Sequence, residues 1–319
     1  MRMRILTKLA LLVVVVPASA SAQAVDSAFV YGRDYTFEKM VATRDVNDAD
    51  DKGAIQLTTY VYRPVKNDRH EVALFSHGST GGLARSPKEP GGANALPASV
   101  VQFFVSRGYT LVAPMRRGRG ESTGAYVEEC SVFTGQCTVA DQVALGERGI
   151  REALLDTDAV MQQLVLGRIA PADARIVLVG HSRGGFLSLV LAGERPTLVK
   201  AVVNFAGGWY GVTDRLTPAE NQQRMDDHKA RLARAAARAT APTMWVYAAR
   251  DALYREGVAQ ELHRYWQEAG GRADFVFIGQ HALTNGHLAL SELGLWEQAA
   301  DDFLKKLATA KPDPAPPVR

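Results

Sequence analysis

The residues that point most directly to a chemistry are Gly180-His181-Ser182-Arg183-Gly184-Gly185. Their spacing is Gly-x-Ser-x-Gly, directly after the apolar run 176–179 and directly before 186–191, a run of helical composition. A serine on a strand-to-helix turn is forced into a strained conformation, and glycines two residues to either side leave room for the bend. Its hydroxyl is expected to stand exposed above the sheet. The helix that starts there directs free N–H groups and its positive dipole end at charge developing beside Ser182. This arrangement suits nucleophilic attack on an acyl carbonyl. Other chemistries lack a signature. There is no His-Glu-x-x-His, no Cys-x-x-Cys and no Walker loop, and the seven histidines are scattered, so neither metal nor cofactor is expected.

The elements that would position Ser182 follow an alternating pattern. Strands are expected at 55–62, 72–75, 110–113, 176–179, 201–204, 244–247 and 275–278, and helices at 98–107, 139–166, 184–193, 258–269 and 290–307. Several strands are continuous apolar runs, as strands covered on both faces are. The alternation indicates an α/β domain with a largely parallel sheet. One polar segment, 212–240, interrupts it and is expected as a small helical insertion, a cap over the sheet edge or a lid. Its basic residues Arg224, Lys229, Arg231, Arg234 and Arg238, partly answered by Asp226 and Asp227, read as a solvated helix face.

Composition narrows the function classes. The chain has 319 residues, 47% hydrophobic and 22% charged, which is ordinary globular material and excludes collagen-like or wholly disordered chains. Arg2, Arg4 and Lys8 supply the whole net charge of +3, and without them 34 basic residues face 34 acidic ones. Such a neutral body gives no reason to expect a nucleic-acid partner. The same three residues precede an apolar run at 9–16, Pro17 and the small residues 18–22, the order of a secretory signal peptide. The apolar run is far shorter than the roughly 20 residues needed to span a membrane. Residues 1–22 are therefore expected to be removed, leaving a single domain at 25–307, a disordered tail at 311–319, and a periplasmic or secreted protein without stable membrane association. In such an oxidising compartment Cys130 and Cys137 could pair, two buried free thiols being the alternative.

On the strength of residues 180–185 in their strand-to-helix setting, the chain resembles the α/β-hydrolase superfamily over roughly residues 50–307. It is most similar to the dienelactone-hydrolase and serine-peptidase-like branches. The resemblance implies an eight-stranded, mostly parallel sheet flanked by helices, and a serine, acid and histidine triad in that chain order. The backbone N–H of Arg183 is then one oxyanion donor. Ser76-His77-Gly78-Ser79 is similar to the family's His-Gly-x turn and places the second donor at the Ser79 N–H, or at Thr80 if the turn is shifted, with His77 a structural brace. Asp251, after the strand at 244–247, is the expected acid, with a helix N-cap as its alternative role and Asp214 and Asp274 as fallbacks. Gly286-His287 is similar to the family's Gly-His loop and makes His287 the expected base, His281 reading as structural.

Two further groups concern the substrate. Residues 115–124 are similar to the family's Arg-Gly-x-Gly-x-Ser loop at the edge of the active site; Arg119 and its neighbours could bind a substrate carboxylate, pairing with Glu121 or nearby acids being the plainer alternative. Trp209 and Tyr210, at a strand end, are candidate pocket walls or else core aromatics. The expected function is a serine hydrolase acting on a small-molecule carboxylic ester. A serine peptidase for short peptides and a binding protein that has lost turnover are the alternatives.

Overall fold

The structure, a computed structural model, describes residues 29–79, 96–128, 130, 135, 137–167, 169–171 and 174–309. The expected leader, Thr80 and the tail lie outside these residues. Among the described residues no helix is long and apolar enough to cross a membrane.

The chain opens with a long antiparallel hairpin, β1 (Tyr35–Asn47) and β2 (Lys52–Pro64), paired in register from Tyr35 with Pro64 to Asn47 with Lys52. At its tip the Asp48 carboxylate accepts the N–H groups of Asp50 and Asp51, both at 2.9 Å, which closes the turn. Five parallel strands form the centre and one side of the sheet beyond β4 (Tyr109–Pro114). They are β3 (Glu71–Ser76), β5 (Ile176–His181), β6 (Val199–Phe205), β7 (Thr243–Ala248) and β8 (Ala273–Ile278). The spatial order is β1-β2-β4-β3-β5-β6-β7-β8, and only the β1–β2 and β2–β4 pairs are antiparallel.

Strand alternation divides the interior into two cores. Leu74, Leu178, Trp245 and Tyr247 point to one face, Phe75, Val177, Val179 and Val246 to the other. The first face is covered by α2 (Val139–Leu166), α3 (Arg183–Glu194), α4 (Pro218–Ala236) and α5 (Glu256–Glu268). The second is covered by α1 (Ala98–Ser106) and α6 (Glu297–Thr309). Capping boxes fix where two of these helices begin: Thr138 with Asp141 for α2, and Thr217 with Glu220 for α4.

Three expectations change. Strand β1 was not foreseen, because its mixed sequence, with Glu38, Lys39, Arg44 and Asp45 among its apolar residues, buries few positions at the sheet edge. The final helix starts at Glu297 rather than 290, since residues 286–295 form two short 3-10 turns around Gly294. The segment 212–240 carries α4, which joins β6 to β7 and packs against α2, α3 and α5. Its basic face is not uniformly solvated either. Arg224 is buried and donates to the Gly211 carbonyl at 2.6 Å, and the buried Arg231 pairs with Asp227 and Glu147 at 2.7 and 2.6 Å.

Candidate active site

Ser182 sits between β5 and α3 with φ 55° and ψ −123°, a backbone conformation that costs a non-glycine residue on the order of 1 to 3 kcal/mol. Sequence makes this turn possible. A Cβ on Gly184 would lie 1.9 Å from the Ser76 carbonyl oxygen, and one on Gly180 would lie 2.2 Å from that of Gly184, so only glycine fits at either place. Backbone hydrogen bonds then hold the turn to the neighbouring strand: the Ser182 N–H donates to the Phe205 carbonyl at 2.9 Å, and the Gly208 N–H to the Ser182 carbonyl at 3.2 Å. The Ser182 side chain makes no capping bond to α3, which leaves its hydroxyl for other work. The residue as a whole is buried, with 6% of its surface exposed.

The loops after β7 and β8 meet beside it. His287 Nδ1 lies 3.0 Å from Asp251 Oδ2, and both residues are buried. Asp251 Oδ1 also accepts the N–H groups of Leu253 and Tyr254 at 2.8 and 2.9 Å, which shapes the loop before α5; it is not the N-cap of that helix, a position held by Arg255 without a side-chain bond. Asn285 clamps the two loops together, its Oδ1 accepting the N–H of Ala252 at 3.2 Å and that of His287 at 3.0 Å. His181 donates Nε2–H to the His287 carbonyl at 2.7 Å, with the two rings 4.8 Å apart. Tyr254 flanks the imidazole at 5.8 Å between ring centres. A Cβ on Gly208, the residue bonded to Ser182, would strike that tyrosine ring at 2.3 Å. His181, the residue before Ser182, thus ties the His287 loop to the nucleophile turn, and no hydrogen bond joins His287 to Ser182.

On the opposite side of Ser182 lies the turn after β3. A Cβ on Gly78 would stand 3.1 Å from Ser182 Cβ, and exposed Ser79 follows. His77 is buried, with Nδ1 against the Gly78 carbonyl at 2.8 Å and Nε2 accepting the Arg116 N–H at 3.3 Å. Burial, then the charge of Arg116, push its imidazole down to about 3, so it braces the turn as a neutral ring. Arg116 reaches the His77 carbonyl at 2.8 Å and forms a buried ion pair with Glu128, which also faces Arg183 at 3.4 Å. Burial alone would raise the Glu128 carboxyl, but the two arginines override it and hold it at about 2.

Arg117 and Arg119 extend this loop, each 2% exposed. Arg117 is fully answered, by Asp48 at 2.7 Å, Asp51 at 2.6 Å, Glu152 at 3.1 Å and the Ala125 carbonyl at 2.9 Å. Arg119 lies with its guanidinium carbon 3.3 Å from the centre of the Tyr126 ring, while its Nε and Nη2 have no hydrogen-bond partner. Glu121, the partner expected from the sequence, is exposed and pairs with Lys39 at 2.7 Å instead.

Comparison with known proteins follows the same lines. The family model described as "Putative esterase" matches residues 159–273, a span that includes Ser182 and Asp251 and stops short of His287. No curated protein matches the chain. Among solved structures, an esterase from Pyrococcus furiosus is similar with TM-score 0.55 at 15% identity, covering 85% of this chain and 90% of its own. An acylaminoacyl peptidase from Pyrococcus horikoshii gives TM-score 0.55 at 15% identity over 88% of this chain and 43% of the peptidase. Est1E from Butyrivibrio proteoclasticus, solved with ferulic acid bound, gives 0.54 at 15% identity over 80% of this chain and 97% of its own.

The chain has the α/β-hydrolase fold. Within that fold the structure places Ser182, Asp251 and His287 after β5, β7 and β8 at the same edge of the sheet and leaves the fallback acids outside. Asp214 and Asp274 are exposed and paired with Arg255 and Lys306. His281 hangs its Nε2 on the Ala249 carbonyl at 2.7 Å, away from Asp251. Trp209 and Tyr210, expected as pocket walls, are core residues: both N–H groups face His228 Nε2 at 2.9 and 3.3 Å, and the Tyr210 hydroxyl wedges into α2 against the Gln142 carbonyl. Their burial follows from α4 and α2 closing over the end of β6. Cys130 and Cys137 form a disulfide. Among the described residues no cluster of three histidine, cysteine or acidic side chains could hold a metal. Sequence reading missed Asn285 and Glu128. Asn285 carried a signal, an asparagine two residues before the expected base, whereas Glu128 is linked to the site only through tertiary contacts.

Proposed function

We propose that this protein is an exported serine hydrolase that cleaves small carboxylic esters through Ser182, His287 and Asp251. The observation that carries the reading is the buried 3.0 Å contact of His287 Nδ1 with Asp251 Oδ2 beside a serine whose strained turn leaves its hydroxyl uncommitted. In this mechanism Ser182 Oγ attacks the ester carbonyl as its proton passes to His287 Nε2, while Asp251 keeps Nδ1 protonated and the ring oriented. The backbone N–H groups of Arg183 and Ser79 take the oxyanion. The alcohol leaves with the proton from His287, and water activated by the same imidazole then releases the acid. Export is supported by the Cys130–Cys137 bridge, which suits an oxidising compartment.

Labelling with a fluorophosphonate, followed by mass-spectrometric mapping, tests the nucleophile. Label on Ser182 is the expected result; an unlabelled protein would favour a binding role. A comparison of kcat/KM on an acyl ester and on a peptide amide with a free amino terminus then separates esterase from peptidase. The ester is expected to win; a tenfold advantage for the peptide would make the peptidase reading the better one.

A further inference from the structure

Among the described residues Arg119 is a buried cation with no acceptor for two of its nitrogens. The guanidinium is stacked on Tyr126 at 3.3 Å, and two of its nitrogens, Nε and Nη2, have no acceptor. These two nitrogens share one edge of the guanidinium plane, and their N–H groups run parallel, the spacing that matches both oxygens of a carboxylate. Among the described residues the carboxylates paired around this loop are already committed. Glu128 serves Arg116 and Arg183, Asp48, Asp51 and Glu152 serve Arg117, and Glu121 serves Lys39. Stacking on tyrosine compensates only part of the cost of an enclosed charge, and buried donors are as a rule hydrogen-bonded.

Its position also connects it to the nucleophile by two independent routes. Through Tyr126, whose hydroxyl accepts from Arg183 Nη1 at 2.7 Å, it reaches the residue that follows Ser182. Through its own backbone N–H on the Arg116 carbonyl at 3.0 Å, it reaches the arginine that holds the His77 carbonyl at 2.8 Å, next to the Gly78 that borders Ser182. These contacts tie the Arg119 loop to the residues on either side of Ser182.

We propose that Arg119 recognises a carboxylate carried by the substrate, so that the enzyme's preferred esters are anionic, with the acid on either the acyl or the alcohol portion. The inference rests on the ester-hydrolase reading of this site and adds the charge of its substrate. Three esters distinguish the possibilities: 4-nitrophenyl butyrate is neutral, mono-4-nitrophenyl glutarate is acidic on the acyl side, and 3-(butyryloxy)benzoate is acidic on the alcohol side. The wild type is expected to favour one acidic ester over the neutral one by tenfold or more in kcat/KM, and the winner tells which portion bears the acid. In Arg119→Gln the acidic-to-neutral ratio should fall by about thirtyfold or more, as for truncation of one partner in a buried charge pair. Equal wild-type rates on all three esters, or a preference that survives in Arg119→Gln, would overturn the proposal.

Binding separates its failure from that of the ester reading. Calorimetric titration of Ser182→Ala with whichever acidic ester binds more tightly should give an affinity at least tenfold above that of the Ser182→Ala, Arg119→Gln double variant. A binding difference without turnover of any ester by the wild type would sink the esterase and leave Arg119 as a carboxylate site. Equal binding would sink Arg119. If Arg119→Gln does not fold, Arg119→Lys serves instead: it keeps the charge and loses the fork, so binding should weaken at least threefold, and unchanged affinity would exclude edge-on recognition.

Discussion

Two sets of loops flank Ser182, and they treat polar groups differently. After β7 and β8, Asp251, Asn285 and His287 form a closed set in which each group that would act on the ester is oriented by another. After β4, the arginine loop contains one residue of each kind: Arg117 is surrounded by three carboxylates, and Arg119, two positions on and equally buried, by none. A group satisfied within the fold serves orientation or stability. One that stays unsatisfied is explained by something that arrives. On this view, changes in the first loops alter rate with little effect on folding, and changes in the second alter stability or selectivity according to which arginine is touched.

The largest effects belong to the first set. Ser182→Ala should lower kcat by up to ~10⁶-fold, and Asp251→Asn by up to ~10⁴-fold through the wrong imidazole tautomer. His281→Ala, whose ring contacts the Ala249 carbonyl and Arg250 but not Asp251, should change little. Steady-state rates beside thermal unfolding of each variant provide the check. A Ser182→Ala protein with a tenth of wild-type activity, or a His281 variant that loses more than a His287 variant, would break the assignment.

Next comes the contrast within the arginine loop. Arg117→Gln removes the cation that Asp48, Asp51 and Glu152 share, leaving Glu152 with Arg44 and Asp48 with Arg148, and loss of one partner from a buried ion-pair set costs about 3 to 5 kcal/mol. Arg119→Gln strands no carboxylate, so its stability should stay within about 1 kcal/mol of wild type, the stack on Tyr126 being the main loss. Urea unfolding midpoints of the two variants decide the matter. Similar losses would mean that Arg119 has a structural partner after all.

Which parts of this were legible in the sequence follows from the range of the interactions. Ser182 and the strands beside it were legible because a Gly-x-Ser-x-Gly turn and an apolar run are local signals. His287 and Asp251 were assigned through chain order and strand ends, which the topology then placed together. The arginine loop was misread where its partners are far away: Arg117 finds Asp48 and Asp51 across the tip of a hairpin whose first strand had no clear pattern, and Glu121, the near neighbour, points to Lys39. Trp209 and Tyr210 were placed at the right strand end, but α4 and α2 cover them, a consequence of packing that no spacing announces.

Acid should separate neutral buried braces from ordinary surface groups. His77 and His228 are both enclosed, and burial, first, lowers each imidazole to about 3. A folded value below the unfolded one means that the unfolded chain binds the extra proton. The contribution is therefore largely complete above about 6.5 and is lost as pH falls from there towards 3, at roughly 1 kcal/mol for each histidine over the first unit. Glu128, held at about 2, adds its own loss only below the ordinary carboxylate range near 4.5. Urea midpoints measured from pH 8 to pH 5 should start to decline near 6.5. A flat profile down to 5 would show that these histidines are not held neutral, and with them the brace under Gly78 would lose its basis.

A modest effect is expected of the Cys130–Cys137 bridge, which lies just beyond Glu128 and before α2. It closes a loop of sequence separation 7, and short loops restrict the unfolded chain least, so the gain is at most about 2 to 3 kcal/mol. Its place matters more than its size. The Cys130 carbonyl accepts the Gln142 side chain at 2.9 Å, and Gln142 also receives Arg224 from α4, so the bridge sits where α2 and α4 close over Tyr210. Replacing both cysteines by serine should lower the urea midpoint by that modest amount and leave the Arg117 contrast intact, because the carboxylates around Arg117 come from the hairpin tip and from Glu152 rather than from the bridged segment. A loss above about 5 kcal/mol would mean that the bridge holds Glu128 and its two arginines in place. The arginine loop would then depend on an oxidised pair, and its separation from the rest of the site, on which the comparison stands, would fail.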